Sequence, residues 1–387
     1  MLKNQITKQF LETFEHLSHG VITITMPDGK HHEFSGEQEG TPADLTINDL
    51  GAITAFAQKG DIGFAQSYRE GGWDSSDLTA LFLFGLNNAP ALDTYLYGGF
   101  LARIASRLAY YLSRNTLGGS KKNIHAHYDL GNDFYSLWLD ASMTYSSAIF
   151  ADKNETLLVA QQRKYDRIIE RLGSSGSLLE IGCGWGGFAE RALENHDFTI
   201  KGLTISKAQH DFATQRLANK AVISLEDYRH EQAIYDHIVS IEMFEAVGES
   251  YWPVYFSQIK ALLAKNGKAM IQTITIEEQH FERYKKGGDP IRTFIFPGGM
   301  LPSPERFKLS CLKAGLVVTD EFSFGNDYAL TLKVWLAKFE QNLDQVKALG
   351  FDEAFIRMWR FYLNYCIASF TVGRTNVMQM EVQHLDS

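Results

Sequence analysis

Apolar and polar positions follow two different rhythms along this chain, and the change falls near residue 155. Ahead of it, Gly20 to Thr25 alternates β-branched residues as a strand does. Asp28-Gly29 is a turn signal, and His31 to Phe34 is placed to return as a hairpin partner. Leu45 to Gln58 carries apolar residues at helical spacing, with Thr46 and Asn48 as cap candidates. Gly60 to Asp77 reads as a loop anchored by Phe64, Tyr68 and Trp73. Leu78 to Tyr111 reads as one or two apolar helices. Asn87, Asn88, Pro90 and Arg103 interrupt it, so no run reaches the length that a membrane-spanning helix needs. Thr116 to Lys122 is small, polar and basic, as a linker is. It separates an expected first domain, residues 1–115, from a second, residues 123–387.

Beyond residue 155 the pattern alternates. Helix Leu157 to Leu172 leads to strand Leu178 to Gly182 and helix Phe188 to Asn195. Strand Thr199 to Leu203, helix Lys207 to Asn219 and strand Val222 to Leu225 follow. Strand His237 to Ile241, helix Trp252 to Leu263 and strand Lys268 to Ile274 continue the series. Repeated strand–helix units predict a parallel α/β sheet. Leu316 to Phe322 and Tyr328 to Ala337 are expected to pair as a late antiparallel hairpin. Glu277 to Pro304 breaks the rhythm as an inserted loop or lid. The aromatic tail, Phe351 to Glu381, is expected to be helical.

Composition narrows the classes. The 387 residues carry 37 Lys and Arg against 46 Asp and Glu, a formal charge of -9. That balance argues against a nucleic-acid grip, while leaving room for a local apolar or basic patch that touches a membrane. With 26 Phe, 17 Tyr and 6 Trp, the chain has ample material for packed cores. Cys183, Cys311 and Cys366 stand far apart, which supports neither a disulfide framework nor a zinc knuckle. His125-x-His127 lacks a third ligand at a telling spacing, so no metal site is expected. No signal-peptide core follows Met1, and the expectation is a soluble cytoplasmic protein.

The chemistry gathers at strand ends. Leu178-Leu179-Glu180-Ile181-Gly182-Cys183-Gly184-Trp185-Gly186-Gly187 runs a strand through a glycine-rich turn into a helix. Such a turn lets a ligand approach the backbone, and the helix start offers free N–H groups. Dinucleotide sites share the device. The spacing Gly182-x-Gly184-x-Gly186, with Glu180 two places ahead, is more typical of S-adenosylmethionine (SAM) sites than of nicotinamide sites. Gly202-Leu203-Thr204-Ile205-Ser206-Lys207-x-Gln209 ends the next strand, at the edge where open parallel sheets bind ligands. It lacks the acidic residue that a nicotinamide site uses on ribose, and it also reads as a capped helix start. Glu226-Asp227-Tyr228-Arg229 follows the third strand as an adenine contact or a solvated loop.

These segments, together with Ile241-Glu242-Met243-Phe244-Glu245-Ala246-Val247-Gly248, resemble cyclopropane-fatty-acyl-phospholipid synthases and the related mycolic-acid methyltransferases. His127 to Tyr135, Thr144-Tyr145-Ser146-Ser147, Ile295 to Ser303 and Phe324 to Tyr328 are similar to further family segments. The resemblance runs over roughly residues 120 to 380, and reaches back less specifically to Gly60 to Phe64 and Trp73-Asp74. It implies an α/β fold, a Rossmann-like SAM-dependent methyltransferase sheet of seven strands whose last hairpin is antiparallel. A smaller N-terminal α+β lipid-binding domain would accompany it. Tyr145 and Ser146 would contact the methionine end of SAM. Gly182, Gly184 and Gly186 would frame it, Thr204 and Gln209 would serve the ribose, and Asp227 would face the adenine. The implied substrate is an unsaturated phospholipid acyl chain, reached by transient contact with the inner membrane surface. Family members are often homodimers.

The implied reaction needs no strong protein nucleophile, because an alkene π bond attacks the sulfonium methyl and positioning does most of the catalysis. An apolar channel would draw on aromatic residues such as Phe281 and Trp335, although core packing is the commoner role. A base must then remove a proton from the resulting cation. In the family a bicarbonate, held by a Glu, a His, a Tyr, a Cys and backbone groups, is thought to do so. Glu245 and Tyr328 stand at the Glu and Tyr positions and Ile274 at the backbone position. Ser147 replaces the Cys, Gln272 the His, and Ala246 the common His after Glu245. Glutamine cannot titrate near neutral pH, so a bicarbonate site is weakened, yet Ser and Gln still hydrogen-bond an anion. The expected catalytic group is thus Glu245, Tyr328, Gln272 and Ser147. Glu245 would act electrostatically beside the cation, its alternative being a structural cap. The product would be a cyclopropane or a methyl-branched or methylene chain. Two readings dispense with methyl transfer: hydrogen removal from an acyl chain on the same fold, and a lipid-binding protein without catalysis.

Overall fold

A computed structural model describes residues 2–92 and 130–386. The expected linker Thr116 to Lys122, His125, His127 and the helical reading beyond Leu92 lie outside the described residues. Packing sorts the chain into two units, neither continuous in sequence. One comprises residues 1–112, 282–297 and 344–374, the other residues 113–281, 298–343 and 375–387. A single boundary near residue 120 misses the two later segments that return to the first unit, because tertiary packing rather than local composition recruits them.

The first unit has a four-stranded sheet in the order β2-β1-β3-β4, from β1 (Val21–Thr25), β2 (His31–Ser35), β3 (Ala43–Ile47) and β4 (Trp73–Asp74). The β1–β2 hairpin forms around Asp28-Gly29. β3 occupies the start of the stretch read as helical, with Leu45 and Ile47 alternating inward. The helix begins only at Leu50, and Asp49, not Thr46 or Asn48, caps it by accepting from the Gly51 N–H at 2.7 Å. The expected loop after Gly60 is instead a helix, Asp61–Arg69. Its small residues explain the misreading. A Cβ on Gly63 would stand 2.1 Å from the Ala55 carbonyl oxygen, so glycine there lets two helices meet backbone to backbone. Trp73 stacks on Phe64 at 4.0 Å, and its indole N–H donates to the Phe64 carbonyl at 2.9 Å. The later helix Glu353–Thr371 joins this core edge-on through Phe361 to Phe82, and its Arg357 donates to the Trp73 carbonyl at 2.8 Å.

The second unit is built on a seven-stranded sheet. Its strands are β5 (Ser175–Ile181), β6 (Asp197–Thr204), β7 (Val222–Leu225), β8 (Tyr235–Ile241), β9 (Leu263–Ile276), β10 (Leu316–Ser323) and β11 (Thr375–His384). The order is β10-β11-β9-β8-β5-β6-β7, and β11 runs antiparallel to both neighbours. Ile168, Ile169, Leu178, Phe188, Ile200, Val239 and Met270 form one buried cluster between helices and sheet. Two late expectations change. Tyr328 to Ala337 belongs to a helix, Gly325–Gln341, whose buried Tyr328, Leu332, Trp335 and Phe339 recur at helical spacing. The tail is helical only to Thr371. Gly373, at φ +74°, turns the chain, and its last residues form β11.

Replacing Trp73 with Ala removes the stack and a buried indole, and about 3–5 kcal/mol of stability should go with it. Chemical denaturation of the variant, followed by a probe in the first unit, measures the loss.

Candidate active site

The carboxyl ends of the parallel strands carry the chemistry. β5 ends on Glu180 and Ile181, and the chain then turns through Gly182, Gly184 and Gly186, all at positive φ. A Cβ on Gly182 would press Met243 at 2.9 Å, whereas one on Gly184 would meet nothing within 4 Å. The turn is thus closed on its protein side and open where a ligand would lie. Glu180 is buried, and its Oε2 has no partner among the described residues. Burial pushes it up to about 8, with Lys164 acting against the shift. An open glycine cradle beside an unsatisfied polar atom fits a polar nucleoside-type ligand such as SAM.

Around the cradle, Arg216 ties two segments together by donating to the Ser142 carbonyl at 2.7 Å and the Trp185 carbonyl at 3.1 Å. The Trp185 indole donates to Asn132 at 2.8 Å. Tyr145 sits among Tyr135, Trp138 and Trp335, with ring centres 5.3 to 5.4 Å away. The Ser146 hydroxyl accepts from Lys164 at 2.6 Å. At the end of β6, Thr204 donates to Gln209 at 2.9 Å, so these two expected ribose contacts already hold each other. Asp227 lies past β7 and pairs with Arg229 at 2.6 Å, an ion pair that draws its carboxyl below the usual range despite half-burial.

Four residues were expected to hold an anion, and three of them meet on a carboxylate that the motif reading passed over. Glu242 directly follows β8. Its Oε1 accepts from the Ser147 backbone N–H at 2.8 Å and from Gln272 Nε2 at 2.8 Å. Its Oε2 accepts from the Tyr328 hydroxyl at 2.6 Å. The Ser147 hydroxyl turns away, toward the Ala148 carbonyl at 3.1 Å, so only the backbone of Ser147 takes part. Glu242 has φ +50°, a conformation that costs a non-glycine residue strain. The fourth residue, Glu245, stands apart from this convergence. It accepts from the Ile274 N–H and from the Thr273 hydroxyl at 3.0 Å, and its Oε2 is buried without a partner among the described residues.

The two carboxylates differ in what opposes their burial. Burial raises Glu242, but Tyr328, Ser147, the Lys164 charge and Gln272 pull it back. Glu245 has fewer donors and faces the Glu242 charge, and it rises to about 8. At neutral pH Glu245 therefore keeps its proton, while the donors around Glu242 favour its ionised form. Lys164, fully buried, is lowered to about 7 by burial, against the pull of Glu242, Asp140 and Glu180. The donors expected to bind bicarbonate are thus already engaged by a side chain, and the residues present do not fit a second anion there. Sequence reasoning missed Glu242 although one signal was available: an acidic residue directly after an apolar strand, at the ligand-binding edge of the sheet. Among the described residues no cluster of His, Cys, Asp or Glu could hold a metal ion.

A seven-stranded sheet with its inserted antiparallel strand and an open glycine turn after the first parallel strand define a SAM-dependent methyltransferase. Residues 117–380 match the model of the mycolic acid cyclopropane synthetase family, and the chain belongs to that family. It is 36% identical to a tuberculostearic acid methyltransferase of Mycobacterium tuberculosis, over 84% of this chain and 79% of the relative. It is 32% identical to the cyclopropane-fatty-acyl-phospholipid synthase of Escherichia coli, over 92% of this chain and 94% of the relative. The crystal structure of a mycolic acid cyclopropane synthase complexed with SAH and CTAB superposes with a TM-score of 0.63 at 34% identity. That match covers 68% of this chain and 98% of the other.

Glu245 ionises near 8 in the fold against an ordinary 4.5, so the folded protein retains a proton that the unfolded chain releases between those values. Stability on its account is full below about 4.5 and falls as pH rises toward about 8. Glu245→Gln should melt close to wild type at pH 5 and several degrees above it at pH 8.5. Thermal unfolding across that range tests the assignment of the proton to Glu245.

Proposed function

We propose that this chain transfers a methyl group from SAM to the cis double bond of an unsaturated phospholipid acyl chain and closes a cyclopropane ring, with Glu242 as the base. The carrying observation is the convergence of Ser147 N–H, Gln272 and Tyr328 on the Glu242 carboxylate. Bound SAM would supply an electrophilic methyl that the alkene π electrons attack. The glycine cradle, Tyr145, Ser146, Thr204, Gln209 and Asp227 would hold the donor, and the aromatic group of Tyr145, Trp138 and Trp335 would keep water from the reacting carbons. Glu242 would take a proton from the added methyl carbon, and the C–H electron pair would close onto the cationic carbon. The new O–H on Glu242 neutralises a buried charge, which favours the step. Glu245 already holds a proton and leaves the base role to its neighbour.

A fixed carboxylate reaches one C–H bond where a diffusible anion could reach several. If a hydride first moved from the methyl-bearing carbon to the cationic carbon, loss of a proton from the same methyl to Glu242 would leave a methylene branch instead. The 36% identity to a tuberculostearic acid methyltransferase favours keeping that second reading. The lipid substrate favours peripheral contact with the inner membrane surface; among the described residues no helix is long and apolar enough to cross a membrane. The Trp73-centred unit would be the lipid-engaging appendage of a cytoplasmic homodimer.

Incubation with methyl-labelled SAM and monounsaturated phospholipid vesicles should place label in the lipid, and NMR of the product should show a cyclopropane ring. Label-free lipid with SAM bound would overturn the reading. Removing bicarbonate should leave the wild-type rate unchanged. Glu242→Gly, which suits φ +50°, should lower turnover at least a hundredfold while SAM affinity stays near wild type. Added bicarbonate or formate should restore part of it, by filling the position between the same three donors.

A further inference from the structure

Gln272 makes Glu242 an anion only if its amide presents nitrogen, and nothing in Gln272 itself decides which end faces inward. The decision is made farther out. Gln379 on β11 stands directly opposite Gln272 on β9 in the sheet register, and both side chains are fully buried. Gln379 Nε2 donates to Gln272 Oε1 at 3.0 Å and to the Lys164 carbonyl at 3.3 Å. Gln379 Oε1 accepts from Arg167 Nη1 at 2.8 Å. Arg167 is held in turn by Asp320 at 2.8 Å and lies 4.4 Å from the Phe322 ring centre.

A guanidinium has donors and no acceptor. It therefore forces the oxygen of Gln379 outward, which turns the Gln379 nitrogen toward Gln272. The Gln272 oxygen is then occupied, and its nitrogen is left for Glu242 at 2.8 Å and the Ser147 carbonyl at 3.5 Å. We propose that Gln379 is a positioning residue, which carries the donor-only character of Arg167 through two buried amides so that an N–H faces the Glu242 carboxylate. This rests on Glu242 being the base, and adds the device that keeps it ready. Lys164, Tyr328 and the Ser147 N–H also favour the Glu242 anion, and burial opposes it. Asp320 faces Arg167, with Arg171 and Glu381 beside it. The relay is the only one of these influences that would reverse sign if one amide turned over.

Gln379→Glu tests the direction. A carboxylate there pairs with Arg167 and also asks Gln272 for a donor, so the Gln272 amide turns and sets its oxygen against Glu242. The acid limb of the kcat–pH profile should then move up by at least one unit, with SAM affinity unchanged. Isotope-edited infrared spectra of the carboxyl groups, with the Glu242 band assigned by its loss in Glu242→Gly, should show the same upward shift without relying on turnover. Arg167→Met, at a partly exposed position, should shift the band in the same direction by a smaller amount, and serves as the second variant if Gln379→Glu does not fold. An unmoved Glu242 titration in either folded variant overturns the relay, as does a uniform loss of rate at every pH. Failure of the underlying reading shows differently, as a wild-type rate that depends on bicarbonate and a Glu242→Gly variant that retains it.

Discussion

A buried carboxylate, Glu242, sets the terms for the carboxyl edge of the larger sheet. An ion taken out of water costs several kcal/mol unless hydrogen bonds replace its hydration. The donors that do so come from three distant parts of the chain: Ser147 ahead of the helix Leu157–Leu172, Gln272 inside β9, and Tyr328 at the start of a late helix. Each needs a separate piece of architecture. The β8–β9 register places Ile241 opposite Gln272, and the Glu242 N–H bonds to the Gln272 carbonyl at 2.8 Å. The late helix is anchored where Thr331 accepts from the Ala148 N–H at 3.1 Å. Left-handed backbone at Glu242 swings the side chain into the meeting point of all three.

Two carboxylates three residues apart are set against each other by this arrangement. Both are buried, so burial does not distinguish them. Glu242 collects three hydrogen bonds and the nearby Lys164 charge, while Glu245 has two donors and an anionic neighbour. The same logic separates acid from base in many enzymes that rely on a carboxyl pair. Here Glu245 also has a scaffolding role, because its backbone carbonyl accepts from the Met300 N–H at 2.8 Å and ties down the segment after Gly298.

Local signals carried the central sheet and the glycine turn. Apolar runs of strand length, glycines at fixed spacing and an acidic residue before the turn are properties of neighbouring residues, and they placed β5 to β9 within a few positions. Non-local facts were not legible. Tyr328 to Ala337 mixes β-branched and aromatic residues, and only its burial against the sheet shows a helical face. Asp61 to Arg69 looked like a loop because its Gly63 serves close helix packing instead of flexibility. Glu242 passed unnoticed because its importance depends on donors 95, 30 and 86 residues away. The expected group of Ser147, Gln272 and Tyr328 was visible as a set, but what it surrounds was not.

β11 lies between β9 and β10, yet it is made after both, once the chain has detoured through the helix Glu353–Thr371. During synthesis, β9 and β10 therefore wait with their facing edges unpaired until the ribosome releases Thr375 to His384. Open edges of this kind recruit other strands. Gln379 arrives on that last strand, so assembly of the sheet and orientation of the Gln272 amide finish together. A nascent chain stalled before Arg374 would have its glycine turn in place while the Gln272 amide still lacked its partner on β11.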